Sequence, residues 1–89
     1  MNIRKIVGNT TVNVLILVYR NGSVRHRDIA KLVSSRGMLS LTLNSLVTEE
    51  LISREVKADS IPPQTYYTIT EKGRELARRF EEVRSILEA

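Results

Sequence analysis

Two hydrophobic periods alternate along this chain. In "TTVNVLILVYRNG", 10–22, apolar residues cover most of a helical circumference, which predicts a helix enclosed on several sides and stopped at Asn21-Gly22. "RHRDIAKLV", 25–33, predicts a short second helix turning Ile29, Leu32 and Val33 inward, with Asp28 in its first turn, where a negative charge suits the helix dipole. "SSRGMLSLTLNSLVTEEL", 34–51, opens on serines able to act as N-caps and repeats Leu39, Leu43, Leu46 and Val47 at helical spacing. The period then drops to two. "LISREVKA" sets Ile52, Arg54, Val56 and Ala58 on one side and Ser53, Glu55 and Lys57 on the other. "TYYTIT" is rich in β-branched and aromatic residues, with Tyr67 and Ile69 turned inward and Tyr66 outward. The two runs predict a β-hairpin closed by the loop Asp59 to Pro63, which Pro62 and Pro63 stiffen by fixing φ. A last helix, 70–89, starts at Thr70 as N-cap.

The order helix, helix, helix, hairpin, helix is that of a winged helix-turn-helix. The expected class is α+β, mostly helical, with a three-helix core, a two-stranded β-wing and a C-terminal dimerisation helix. Without repeats, low-complexity stretches or linkers, residues 1–89 read as a single domain. Residues 10–69 form its core and wing, and 70–89 its terminal helix.

The third helix has an unusual outer face. At about 100° per residue, Leu39, Leu43, Leu46 and Glu50 share one side. Gly37, Leu41, Asn44 and Thr48 collect opposite, flanked by Ser40 and Ser45. An ordinary solvated face would carry Glu and Lys. Small uncharged residues let a helix lie close in a groove, where Asn can pair with an adenine edge, Ser with phosphate or base, and Leu with a thymine methyl. The competing reading packs Leu41 on a neighbouring element and leaves Asn44 as plain surface.

Charge is compatible with the first reading and, taken alone, as compatible with a merely soluble basic surface. The net charge is +4, and all of it falls within residues 1–59, since 60–89 balance. Such asymmetry suits a polyanion. Arg25 and Arg27 near the second helix, Arg36 at the start of the third, and Arg54, Lys57 and Gln64 on the wing are the candidate contacts to a phosphate backbone or minor groove.

Other chemistries find little support. With no cysteine there is no disulfide framework or thiolate site. His26 stands alone and reads as a packing or capping residue. Glu49-Glu50 and Glu81-Glu82 are sequence neighbours that point apart on a helix. No phosphate loop, metal-ligand spacing or nucleophile elbow is present, so no catalytic residue, metal or cofactor is expected. The longest apolar run, "VLILVY", is too short to span a bilayer, and a cytoplasmic protein is expected. Three function classes follow. Sequence-specific double-stranded DNA binding leads. A winged-helix protein-interaction module without direct DNA reading is the alternative. Single-stranded nucleic acid binding comes third, because Tyr19, Tyr66, Tyr67 and Phe80 are too few for a stacking platform.

Leu76, Phe80, Val83 and Leu87 recur as an a/d-type seam on the last helix, widened by Ala77 and Ile86. A second copy could cover its far end, together with the first helix and Ile3, Ile6 and Val7. The competing reading, which the dimer outweighs, folds the seam back on its own first helix. A twofold dimer would set two recognition helices about 34 Å apart on a pseudo-palindromic operator.

"VLILVYRNGSVRHRDIAKLV", "LSLTLNSLVTEELISREV" and "IPPQTYYTITEKGREL" resemble the HxlR-type winged helix-turn-helix transcriptional regulators over residues 12–77. The most specific piece is "PPQTYYTITEKGREL"; the MarR and PadR regulators share the sense of "YTITEKG". The resemblance implies a dimeric DNA-binding regulator whose third helix reads the major groove while its wing contacts the backbone. Val12 and Asn13 replace the family's common Lys-Trp, there is no tryptophan, and the third helix starts "SSRGMLS" where the family prefers a Pro-Lys type start. Without cysteine, the thiol sensing of some members is excluded here.

Overall fold

The structure, a computed structural model, describes residues 9–89. Helix α1 spans Thr10–Asn21, strand β1 Ser23–Arg25, helix α2 His26–Ala30, helix α3 Arg36–Thr48, strand β2 Ile52–Lys57, strand β3 Gln64–Ile69 and helix α4 Glu71–Glu88. Residues Ile3, Ile6 and Val7 of the expected dimer seam lie outside the described residues.

The ends of the helices follow local chemistry. Asn9 caps α1, its Oδ1 accepting from Thr11 N at 2.8 Å. Gly22 closes that helix at φ 77°, its N–H donating to Val18 O at 2.7 Å. Ser35 caps α3 as the sequence predicts, accepting from Met38 N at 3.3 Å. The far end of α3 is a Schellman motif. Leu51 N donates to Leu46 O and Glu50 N to Val47 O, with Glu50 in the left-handed region at φ 60°. Glu50 was expected on the buried side of a helix running to Leu51; the motif ends the helix at Thr48 and turns Glu50 outward.

The sheet has three strands, not two, in the order β1-β3-β2, all antiparallel. Three residues between Gly22 and His26 are too few to show a period, yet they pair with β3 at Ser23↔Thr68, Val24↔Tyr67 and Arg25↔Tyr66. Arg25 therefore sits on a strand, and α2 is shorter than the expected 25–33. The chain turns after Ala30, so Leu32 is 63% exposed where an inward position was expected, while Val33 is buried.

The core lies between α1, α3, the inner face of the sheet and the start of α4. Leu15, Val18, Ile29, Leu43, Leu46 and Ile52 are fully enclosed. α1 buries Val12, Val14, Leu15, Ile16 and Val18, in keeping with its nearly all-round apolar pattern. Beyond Ile52 the β2–β3 pair runs past the core as the wing, which leaves Val56 exposed although it alternates onto the inner face. The loop 58–63 closes the wing and contains a cis Ile61-Pro62 bond.

α4 is fastened at its start. Thr70 Oγ1 accepts from Gly73 N at 3.0 Å and donates to the carbonyls of Glu50 and Leu51. Leu76 and Phe80 pack against the core of their own chain and Ala77 is fully buried. Further along, Arg20 pairs with Glu81 at 2.8 Å and Arg84 donates to Asn13 at 3.0 Å, tying α4 to α1. Val83 and Leu87 are half-buried, and Ile86 is 74% exposed.

Candidate nucleic-acid interface

The face of α3 opposite Leu39, Leu43 and Leu46 is open. Arg36, Gly37, Ser40, Leu41, Asn44 and Ser45 are all exposed, and Leu41, an aliphatic side chain, is 66% exposed on it. No element of the described chain packs over Leu41, which removes the reading that it serves as a core contact. The face carries no carboxylate. Gly37 has open space around it apart from Ser35 Oγ, 3.8 Å from where a Cβ would stand.

The wing meets this face through one side chain. Arg54 lies opposite Tyr67 in the ladder, so both side chains project from the inner face of the sheet. Arg54 Nε donates to the Tyr67 hydroxyl at 3.1 Å and Nη2 donates to Asn44 Oδ1 at 3.0 Å. The guanidinium also lies over the Tyr67 ring, 5.5 Å from its centroid. His26 Nδ1 stands 3.4 Å from the same hydroxyl and its ring tilts against the tyrosine ring at 5.9 Å. A polar chain thus runs from α2 through β3 and β2 to the exposed face of α3. Asn44 and Arg54, which the sequence suggested as separate base and backbone contacts, are joined. His26, read from sequence as a packing or capping residue, is exposed and rests its ring against Tyr67. Tyr67, read from sequence as packing alone, is also the central link of this chain, through the strand register that sets Arg54 opposite it and that the sequence alone does not show.

The outer face of the sheet gathers the other wing cations. Tyr66 lies between Arg25 and Lys57, whose charged groups stand 6.0 and 4.6 Å from its ring centroid. Its hydroxyl donates to Gln64 Oε1 at 2.9 Å. Tyr66 is half-buried by these neighbours, where sequence pointed to an exposed ring. Between this strand corner and the wing loop runs an open cleft of about 430 Å³, lined by Arg25, His26, Arg27, Pro62, Pro63, Gln64 and Thr65. The five candidate cations and polar residues of the wing and second helix thus fall on two sides. Arg54 is turned toward α3, and Arg25, Arg27, Lys57 and Gln64 lie around the cleft and the outer face.

Among the described residues no group of three or more His, Cys, Asp or Glu could hold a metal ion. No helix there is long and apolar enough to cross a membrane.

A helix-turn-helix with an open third helix and a β-wing is matched in sequence by the model of the HxlR-like helix-turn-helix family, over residues 6–88. The chain belongs to that family. No curated protein matches it in sequence. Among solved structures it is similar to ytfH from Salmonella typhimurium, with TM-score 0.77 and 21% identity over 96% of this chain and 76% of that one. It is similar also to a transcriptional regulator homologue from Pyrococcus horikoshii OT3, with TM-score 0.76 and 24% identity over 93% and 85% of the two chains. The transcriptional regulator YodB from B. subtilis in its reduced form gives TM-score 0.70 and 29% identity over 91% and 80%. This HxlR-like chain is a DNA-binding transcriptional regulator of the winged-helix class.

Proposed function

We propose that this HxlR-like protein binds double-stranded DNA sequence-specifically as a homodimer, with α3 in the major groove and the wing along the backbone or minor groove. The observation that carries the reading is the exposed, carboxylate-free face of α3, with Leu41 and Asn44 at its centre and Arg36 and Arg54 beside it. Asn44, Ser40 and Leu41 are the base-facing residues. Gly37 and Ser45 allow close approach, and Arg36 reaches phosphate. Arg25, Arg27, Lys57 and Gln64 follow the backbone, the cleft between the second helix and the wing loop receiving it.

The second copy docks on the distal part of α4. Leu76 and Phe80 are engaged by their own core, so the intersubunit seam is carried by Val83, Leu87 and the exposed Ile86. A cytoplasmic location goes with this role. The alternative, a winged helix that binds only protein, would leave the small uncharged face of α3 and the cations around it without a purpose.

Selection from a random duplex library tests the proposal. The expected product is a pseudo-palindrome whose half-sites lie about one helical turn, ~34 Å, apart. Recovery of unrelated sequences, or of single half-sites at any spacing, would contradict it.

A further inference from the structure

Asn44 does not stand free on the exposed face of α3. Arg54 reaches it from the wing, donating Nη2–H to Oδ1 at 3.0 Å. A guanidinium offers donors only, so the carboxamide atom turned toward it must be the oxygen. The amide orientation, often ambiguous for asparagine, is set here by chemistry. What remains for an outside partner is chiefly the Nδ2 amino group with its two N–H donors. Arg54 is itself held, since its Nε donates to the hydroxyl of Tyr67 at 3.1 Å and its guanidinium carbon lies 5.5 Å from the centroid of that ring. Tyr67 is 2% exposed and locked in the middle strand of the sheet.

We infer that Arg54 is a specificity-determining residue that acts through Asn44: holding Oδ1 from the wing, it makes Asn44 read the major groove as a donor. This rests on the reading that the α3 face meets the duplex. An asparagine free to turn pairs with adenine through both ends, accepting from N6–H and donating to N7. With Oδ1 engaged, guanine becomes the better partner, because its N7 and O6 are both acceptors. Adenine and cytosine each present an amino group, which must share Oδ1 with a guanidinium that already occupies one of its two lone pairs and fixes its direction. The preference at this base pair is therefore guanine over adenine, and it is set by a residue on a different element from the one that touches the base.

Arg54→Lys separates this role from plain charge. Lysine keeps the cation but cannot bond Tyr67 and Asn44 together in a planar fork. Random duplex libraries are selected with the wild type, Asn44→Ala and Arg54→Lys, and winners are re-measured by competition with single-base variants. The position whose preference Asn44→Ala abolishes is the Asn44 contact. There the wild type should favour guanine over adenine by about tenfold, the scale of one good base contact. Arg54→Lys should erase or invert that preference, losing more affinity for the selected site than for random duplex. Tyr67→Phe, which removes the anchor of Nε and keeps the ring, should shift it in the same direction, with circular dichroism reporting the fold. A wild-type preference for adenine at that position overturns the inference, as does Arg54→Lys with the guanine preference intact, or an equal loss on all sequences. Each of these leaves DNA binding standing. No enrichment of any sequence by the wild type removes the underlying reading, and the inference with it.

Discussion

A Cβ on Gly73 would lie 2.0 Å from the carbonyl oxygen of Leu51. The first turn of α4 is pressed against the backbone that leads out of α3. Thr70, three residues earlier, caps α4 and donates to that same carbonyl. The "TEKG" stretch thus joins the last helix to the end of α3 by contacts that need a hydroxyl at one position and no side chain at the other. Gly73→Ala must displace backbone, which places it at the upper end of overpacking, ~3 kcal/mol. Urea denaturation measures this; a loss below ~1 kcal/mol would show that the junction gives way easily.

Glu50 holds φ 60° at the Schellman position of α3, where glycine is the residue without a steric cost. The strain is ~1–2 kcal/mol, and glycine's extra freedom in the unfolded chain takes back part of the relief. Glu50→Gly should therefore raise stability by about 0.5–1 kcal/mol. A destabilised variant would mean that the Glu50 side chain makes a contact of greater value than the strain.

Asn44 and Lys57 should fail in different ways. Asn44→Ala should lower the preference for the selected site over random duplex by about 1–3 kcal/mol. Lys57→Ala should weaken both alike and reduce the slope of log affinity against log salt by about one. Fluorescence anisotropy on both duplexes separates the two patterns. Equal loss on both duplexes for Asn44→Ala would remove it from base reading.

Much of this was legible from period and punctuation. The all-round apolar pattern of α1, the switch to period two at Ile52, and the caps Ser35 and Thr70 each have a local cause, and each is where the pattern indicates. The misses have a nonlocal cause. Strand β1 exists only because β3 lies beside Ser23–Arg25, and three residues carry no period of their own. Leu32 follows a helix that stops two residues before it, so counting by 3.6 put it inside. The exposed face of α3 was readable from a helical wheel, but its bond to Arg54 was not, because that needs the register of β2 against β3 and the depth of Tyr67. On the last helix the pattern showed an apolar seam without showing that Leu76 and Phe80 belong to the chain's own core.

That division of the seam changes which substitution tests the dimer. Ile86 is 74% exposed and distal, so Ile86→Glu should leave the melting temperature of the subunit nearly unchanged. In sedimentation equilibrium at micromolar concentration it should convert a dimer into a monomer. A monomeric wild type, or a variant that still sediments as a dimer, would place the interface elsewhere or remove it.

The central claim, that the open face of α3 and the cations around the wing bind a duplex, is tested most directly by affinity for random-sequence duplex DNA across a salt series. Neutralised phosphates release counterions, so log affinity should fall linearly with log salt, with a slope of about 0.9 per phosphate contacted. With Arg25, Arg27, Arg36 and Lys57 at the interface, the predicted slope is about −3 to −4 per subunit, made shallower by each cation replaced with alanine. Binding that is absent at low salt, or whose strength does not change with salt, would contradict the account.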